Sequence, residues 1–139
     1  MRAVLDTNTV VSALLWGGTP NELLAAATEE RIELYTSAAL VAELTDVLSR
    51  MKFAPRLARA NRTVATLIAQ YTGLAETIVA ARINPVVLAD PDDDHVLACA
   101  LAARAELIVS GDAHLLNLKH YQGIPIVSAT AALAFIAKP

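Results

Sequence analysis

Apolar positions along the chain recur in two periods, which predict short buried strands alternating with amphipathic helices. The clearest helical period covers Ala38–Lys52, whose apolar residues fall on one stripe: Leu40, Leu44, Val47, Leu48 and Met51. Further helices are predicted at Pro20 to about Glu30, Arg56–Thr72, Asp90 to about Arg104, and Ala129–Ala137. The β-prone runs are Arg2–Asp6, Glu33–Thr36, Ala75–Ala80, Val86–Ala89, Glu106–Ser110 and Ile124–Val127. This order predicts an α/β fold in which helices cover both faces of a mainly parallel sheet.

Proline, glycine and aspartate mark several of the predicted boundaries. Pro20 lies where a first-turn proline opens a helix, after a mainly apolar segment, Val10–Trp16, that ends at two glycines. Gly73 is predicted to end the helix before it. Asp90 is predicted to cap the next helix, with Pro91 in its first turn and further aspartates favoured by the helix dipole.

The composition fits one domain over residues 1–139, with a core made mostly of aliphatic side chains. Of the 139 residues, 55% are hydrophobic and 4% aromatic, which excludes a disordered chain and suits helices packed on a sheet. The single cysteine, Cys99, cannot form an internal disulfide. The first apolar run is interrupted by Asp6 and Asn8, and no long uncharged apolar stretch follows. We therefore expect a cytoplasmic protein without membrane segments.

The net charge of −3 argues against a protein that coats nucleic acid through bulk positive charge. It does not exclude a nuclease, because such an enzyme can gather carboxylates around metal ions and keep its basic residues elsewhere. The distribution of charge along the chain is therefore more informative about function than the net charge.

Two acidic residues fall at the carboxyl ends of predicted strands, where open α/β sheets bind their ligands. Asp6 closes the first strand, and Asp112 follows the strand Leu107–Val109 across the turn Ser110-Gly111. If both strands are central and parallel, the two carboxylates emerge at the same edge of the sheet. Asp90 follows another possible strand and leads into Asp92, Asp93 and Asp94.

Glu43 lies on or beside the apolar stripe of its helix, with Leu40, Leu44 and Val47 three or four residues away. An ionised carboxylate there is costly unless it meets a cation or several hydrogen-bond donors. The alternative is a glutamate at the edge of the stripe that reaches water or pairs with an arginine.

The acidic run after residue 89 has both a local and a functional interpretation. Asp90 and Asp92 are readily explained as cap and dipole partners, whereas Asp93 and Asp94 can flank the buried face of their helix. Four carboxylates in five residues repel one another, and a bound Mg²⁺ or Mn²⁺ would relieve that repulsion. Hard divalent cations prefer oxygen ligands, and no zinc-like grouping of cysteine and histidine is present.

The order of these motifs resembles that of the PIN-domain family, and more narrowly of the toxin-like PIN proteins of prokaryotes related to VapC-type toxins. The resemblance rests on these motifs: Leu5-Asp6-Thr7-Asn8, Val41-Ala42-Glu43-Leu44, Asp90-Pro91-Asp92-Asp93-Asp94 before Val96-Leu97-Ala98, and Val109-Ser110-Gly111-Asp112. It spans Met1 to about Val127. It implies a three-layer α/β/α Rossmann-like PIN domain with a central, mainly parallel sheet.

The resemblance also implies a metal-dependent ribonuclease whose catalytic, metal-binding residues are Asp6, Glu43, Asp93 or Asp94, and Asp112. The sequence separation of eighteen residues from Asp112 favours Asp94 as the ligand, while the Asp-Pro-x-Asp pattern favours Asp93. Asn8 and Ser110 match polar positions that would orient carboxylates or a water, although turn and cap chemistry also explains them. One or two Mg²⁺ or Mn²⁺ ions would activate water for in-line attack on a phosphodiester, leaving a 5′-phosphate. An antitoxin partner and a homodimer are further expectations from the resemblance.

Basic residues concentrate in one segment, with five of the eleven Lys and Arg within thirteen positions: Arg50, Lys52, Arg56, Arg59 and Arg62. The functional interpretation is an arm that contacts RNA phosphates beside the acidic pocket. A solvated helix face or a docking surface for an acidic partner explains the segment equally well. Trp16 could stack on a base, but an anchor beneath the Gly17-Gly18 turn is the simpler interpretation.

Other functions stay open at this point. A PIN module that binds RNA or a partner without cutting would have lost an acidic position, and none is lost. A phosphatase of this fold would carry a second aspartate two residues after the first, where Asn8 stands, and a receiver domain would place Lys119 closer to its strand. A nuclease acting on structured DNA is not excluded by the sequence.

Overall fold

The fold is described from a computed structural model, which covers residues 1–88 and 90–137. Strands lie at Arg2–Leu5 (β1), Glu33–Ser37 (β2), Ala75–Ile78 (β3), Leu107–Val109 (β4), His120–Tyr121 (β5) and Ile124–Val127 (β6). Helices lie at Thr7–Leu15 (α1), Gly18–Thr28 (α2), Ala38–Leu48 (α3), Ala54–Arg59 (α4), Val64–Leu74 (α5), Asp93–Ala103 (α6), Ala113–Leu116 (α7) and Ala129–Ala137 (α8). A 3₁₀ turn, Met51–Phe53, links α3 to α4. Among the described residues, no helix is long and apolar enough to span a bilayer.

The strands form one sheet in the order β3-β2-β1-β4-β6-β5, parallel throughout except for β5. In the register of the two central strands, Leu5 pairs with Val109. From β1 the chain first adds β2 and β3 on one side of the sheet, and then adds β4, β6 and β5 on the other side. The strand order therefore reverses between β1 and β4. Ligands bind at such a point, outside the carboxyl ends of the strands. The mainly parallel α/β fold predicted from the sequence is confirmed.

Helices cover both faces of the sheet, because alternate strand residues point to opposite sides. In β1, Ala3 and Leu5 join the core that is shared with α1, α2, α5 and α8. Val4 points the other way, into a second core built mainly on α6. The result is the three-layer α/β/α arrangement expected above.

The prediction of a single helix over Arg56–Thr72 is wrong, because the structure has two helices there, α4 and α5. Asn61 adopts a left-handed conformation with φ of 53°, which stops the first helix. Thr63 then caps the second one in a reciprocal capping box with Thr66. Gly73 does not end this helix, since α5 continues through Leu74 and runs directly into β3.

Most of the apolar segment Val10–Trp16, for which no element was predicted, lies in α1, which runs from Thr7 to Leu15 with Asp6 and Trp16 as its caps. Two other local predictions need correction. Within Val86–Ala89, the first three residues form no strand, and Ala89 lies outside the described residues. Asp90 does not cap a helix: its carboxylate accepts a hydrogen bond from the Asp92 N–H at 3.3 Å, and α6 begins only at Asp93. The two-residue strand β5 is too short to show a periodicity and was not predicted.

Candidate metal centre

A narrow acidic cleft opens at the carboxyl ends of β1 and β4. Its cavity of about 40 Å³ is large enough for a cation with a few waters, since one water needs roughly 10–15 Å³. The lining residues are Asp6, Thr7, Asn8, Glu43, Asp90, Asp92, Asp93, Val96 and Asp112. A larger cavity, about 510 Å³, lies at the amino ends of β2 and β3 and contains none of the predicted site residues.

Asp6 is fixed in the floor of the cleft by two hydrogen bonds. Its side chain is only 4% exposed, and Oδ1 accepts from the Thr9 N–H at 2.8 Å as the cap of α1. Oδ2 accepts from the Ser110 hydroxyl at 2.5 Å. The carboxylate is therefore held at the start of a helix, where the dipole favours a negative charge, and each oxygen keeps a further lone pair.

Ser110 connects the ends of the two central strands. While its hydroxyl donates to Asp6, the same oxygen accepts from the Asp112 N–H at 2.9 Å. Asp112 in turn accepts from the His114 N–H at 2.7 Å, so it also caps a short helix, α7. The polar role expected for Ser110 thus has a geometric basis, because this side chain joins the two strand-end carboxylates.

Asp93 carries the least satisfied group of the cleft. The residue is 8% exposed, and its buried Oδ2 has no hydrogen-bond partner among the described residues. Burial is the largest of several causes that together raise the pKa of this carboxyl from 3.8 to about 8; the others are a hydrogen bond with Asp112 and the charges of Asp112, Asp90 and Asp6. A buried acid that lacks donors is costly to ionise, and a cation would supply the missing partner.

Three carboxylates come together at one point of this cleft. Asp90, Asp93 and Asp112 each offer an oxygen, and the three oxygens lie within 4.8 Å of one another. Asp90 was interpreted from the sequence as a helix cap, so its place here was missed. The Asp-Pro-x-Asp spacing was the available signal, because a tight turn between the two aspartates returns both side chains to one side.

Asp94, which the spacing to Asp112 favours as a ligand, points away from the cleft. Its carboxylate accepts from the Val87 N–H at 2.9 Å and from the Val86 N–H at 3.1 Å. The side chain therefore fastens the irregular segment before α6 to the start of that helix. The structure places Asp93, the alternative, among the acidic residues that line the cleft, and Asp94 is not among them. Which of the two binds a metal ion stays a prediction, and the position of Asp93 favours that residue.

Glu43 reaches the cleft from α3, where it is half-buried. Burial raises the pKa of its carboxyl; the Thr7 hydroxyl opposes this shift, and Asp92 adds to it. Although Thr7 is close enough to affect Glu43, its buried Oγ1 makes no hydrogen bond of ordinary geometry with any described residue. Within the described part of the chain, two buried oxygens of the cleft thus have no hydrogen-bond partner, Asp93 Oδ2 and Thr7 Oγ1. Thr7 was not singled out from the sequence, although it lies within the Leu5-Asp6-Thr7-Asn8 motif.

Asn8 lines the cleft, and two of the histidines adjoin acidic residues in the sequence. Asn8 is exposed on the first turn of α1 and lines the cleft. His95 and His114 adjoin acidic residues in the sequence but are exposed, as expected for histidines that face solvent. The donor set of the cleft is therefore made of oxygen atoms, which suits a hard divalent cation.

The predicted basic segment contains one half-buried arginine, Arg56, and four exposed cations. The Arg56 guanidinium donates from Nε to the Leu15 carbonyl at 2.9 Å, at the carboxyl end of α1, and lies 4.4 Å from the centre of the Trp16 ring. Arg56 therefore stabilises the end of a helix. The exposed members of the segment are Arg50, Lys52, Arg59 and Arg62. Trp16 is 54% exposed, so it is not an anchor buried beneath the glycine turn.

Comparison with known proteins agrees with this geometry. A family model described as a PIN domain matches residues 2–114. The uncharacterized protein MJ1680 of Methanocaldococcus jannaschii is 30% identical over 120 residues, which cover 86% of this chain and 76% of that protein. No solved structure gives a significant match. PIN domains are generally metal-dependent nucleases, and the acidic cleft is compatible with that activity. The chain belongs to the PIN-domain family.

Proposed function

We propose that the chain is a divalent-metal-dependent endoribonuclease that hydrolyses RNA phosphodiester bonds with Mg²⁺ or Mn²⁺. The observation that carries this proposal is the buried, unpartnered Oδ2 of Asp93 in a cleft where Asp90 and Asp112 offer oxygens within 4.8 Å. A protein that only bound RNA would gain nothing from this costly group. We treat residues 1–139 as a single nuclease domain, because both hydrophobic cores pack on one sheet.

The residues suited to hold the cation are Asp90, Asp93 and Asp112, with Asp6 and Glu43 completing the acidic wall. When bound, a divalent cation polarises the phosphodiester and lowers the pKa of a water. Ser110 keeps Asp6 and Asp112 at a fixed separation through hydrogen bonds to both. Asp94 holds the segment that carries Asp90. These contacts preorganise the carboxylates before substrate arrives.

We expect the exposed cations of the basic segment to hold RNA away from the reacting phosphate. The Arg56 side chain ties α4 to the carboxyl end of α1, whereas the acidic cleft lies at the amino end of the same helix. Nine helical residues span about 13 Å at 1.5 Å each. Arg59 and Lys52 would therefore contact phosphates some nucleotides distant from the cleavage point, leaving the cation to neutralise the cleaved one.

The test compares metal dependence, substrate and one matched pair of variants. Cleavage of a labelled RNA is measured in EDTA and with Mg²⁺ or Mn²⁺, beside a DNA of the same sequence. We expect no cleavage in EDTA, restoration by millimolar metal, and preference for RNA. Asp93→Asn should lose on the order of a hundredfold in rate, while Asp94→Asn should lose much less.

Each result of this test has a definite meaning. Undiminished cleavage in EDTA contradicts the metal chemistry, and equal losses in the two variants contradict the assignment of Asp93. Preferential cleavage of the DNA would replace RNA as the substrate. Binding of RNA without metal-dependent cleavage would favour a non-catalytic module.

We further propose that the chain is the toxin of a toxin–antitoxin pair and forms a homodimer. The support is the resemblance to toxin-like PIN proteins and the exposed apolar surface of Trp16 and Phe135. Light scattering after size exclusion tests the dimer, and a monomer mass at micromolar concentration contradicts it. The product of the neighbouring reading frame should bind the chain and suppress its cleavage of RNA; failure to do either contradicts the antitoxin proposal.

A further inference from the structure

A second concavity adjoins the acidic cleft and shares two of its residues, Asn8 and Asp112. Its volume is about 280 Å³. We call it the flanking groove, and its lining residues are Asn8, Thr9, Ser12, Pro20, Ser110, Gly111, Asp112, Ser128 and Ala129. It lies between the first turns of α1, the turn after β4 and the start of α8. Anything bound across both concavities therefore passes directly from the carboxylates into this groove.

The chemistry of the flanking groove differs from that of the cleft. Among its lining residues, Asp112 is the one charged side chain, and no lysine or arginine is present. Several hydroxyl groups stand among carbon surface from Pro20 and Ala129. Sites for small organic ligands typically combine apolar surface with a few placed polar groups. A free phosphate would find no cation here and would face a carboxylate, so an uncharged group suits the groove better.

Two serine hydroxyls are the side chains most suited to read such a group. The Ser128 hydroxyl oxygen accepts from the Ala131 N–H at 3.2 Å, which fixes the side chain and leaves its proton free to donate. Ser12 is half-buried on α1, on the groove side of that helix. Ser110, by contrast, is already committed to Asp6 and Asp112.

We propose that the flanking groove binds the nucleoside next to the cleaved phosphate, and that Ser12 and Ser128 hydrogen-bond to its 2′-hydroxyl. This inference rests on the proposed ribonuclease function and adds a basis for choosing RNA over DNA. The sugar is bonded to the phosphate, so a phosphate at the acidic cleft places an adjoining sugar in a concavity that shares Asn8 and Asp112. A 2′-hydroxyl both donates and accepts, and so does a serine hydroxyl.

The experiment pairs a change in the protein with a change in the substrate. Oligoribonucleotides carry one 2′-deoxy nucleotide on either side of the mapped cleavage position, and kcat/KM is measured with the parent chain, Ser12→Ala and Ser128→Ala. Thr130→Ala is the matched control, because Thr130 is exposed on the first turn of α8 and does not line the groove.

We expect one 2′-deoxy position to reduce kcat/KM of the parent roughly threefold to tenfold, as for loss of a hydrogen bond. Ser12→Ala and Ser128→Ala should each shrink that penalty, whereas Thr130→Ala should keep it. Ser128→Ala also removes a helix cap, so its unfolding midpoint is measured, and Ser12→Ala carries the test if that variant is unfolded. An unchanged penalty in folded variants overturns the inference.

Two other results separate this inference from the proposed function. If neither RNA nor DNA is cleaved in the presence of metal, the ribonuclease proposal has failed, and with it the inference. If RNA is cleaved normally but all 2′-deoxy positions are tolerated, only the assignment of the flanking groove is overturned. Millimolar inorganic phosphate could also stabilise the parent against thermal unfolding. If Ser128→Ala abolishes that stabilisation, the flanking groove is an anion site instead, and its assignment to the nucleoside is overturned.

Discussion

The Ser110 hydroxyl donates to Oδ2 of Asp6 at 2.5 Å, a contact between residues 104 positions apart in the chain. Both residues are almost fully buried. Hydrogen bonds to a charged acceptor are short and stronger than neutral ones. This bond links the carboxyl ends of β1 and β4 directly, and it sets the spacing of the acidic residues on the two strands.

Removal of the Ser110 hydroxyl should destabilise the fold and disturb the arrangement of carboxylates in the cleft. Ser110→Ala leaves a buried carboxylate oxygen without its donor, and we expect a loss of about 1–3 kcal/mol in the free energy of unfolding. Urea denaturation in EDTA measures it. Ser49→Ala is the control, since Ser49 is exposed and its hydroxyl donates to the Thr45 carbonyl one turn earlier, and it should change stability by less than about 0.5 kcal/mol. Equal stabilities of the two variants would contradict the role given to Ser110.

The raised pKa of Asp93 predicts how metal-free stability depends on pH. The folded state holds this proton up to about pH 8, whereas an ordinary carboxyl releases it near 3.8. Between these values the folded chain binds more protons than the unfolded one, so stability should fall as pH rises, by at most about 1.4 kcal/mol per unit.

Asp93→Asn tests this slope because it cannot ionise. In EDTA, the variant should be less sensitive than the parent to a change from pH 5 to pH 8, and more stable at the upper end. Saturating Mg²⁺ should offset the slope in the parent, since a cation favours the ionised carboxylate. Identical pH profiles for parent and variant would show that Asp93 ionises normally.

Asp90 and Asp92 offer a matched comparison for metal binding. Asp90 shares the point where three carboxylate oxygens lie within 4.8 Å, whereas Asp92 is exposed at the rim. We expect Asp90→Asn to weaken Mn²⁺ affinity by roughly tenfold to a hundredfold and Asp92→Asn by severalfold at most. Calorimetric titration measures both, and the rise in melting temperature with metal concentration provides a check. A greater loss in Asp92→Asn would move the ion towards the rim.

We expect substitution of Arg56 to affect mainly stability and substitution of Arg59 to affect mainly RNA binding. Arg56→Ala removes donors from the Leu15 carbonyl and the cation beside Trp16, so it should lower stability by about 1–3 kcal/mol. Arg59→Ala should leave stability nearly unchanged and reduce the slope of RNA affinity against salt by somewhat under one unit. Thermal denaturation and binding titrations at several salt concentrations give both quantities. An unchanged slope would assign Arg59 to a solvated surface or a docking face.

Features that depend on a local pattern could be predicted from the sequence. The apolar stripe of α3 predicted a helix, and the rule that ligands lie at strand ends brought Asp6 and Asp112 together. The choice between Asp93 and Asp94 could not be made in this way, because neighbours on a helix point about 100° apart and spacing alone does not say which one faces the cleft. The deciding contact is the Val87 N–H, which belongs to a segment without any periodicity. The break at Asn61 was also hidden, since its left-handed conformation interrupts an otherwise helical composition.

The insertion of β4 between β1 and β6 has a consequence for synthesis of the chain. Asp6, Glu43, Asp90 and Asp93 all leave the ribosome before β4 does, yet they have no closed cleft to occupy until that strand docks beside β1 and brings Ser110 and Asp112 with it. Translation in chain order therefore leaves the nascent chain without a complete carboxylate cleft until residues 107–112 have been synthesised and have left the ribosome.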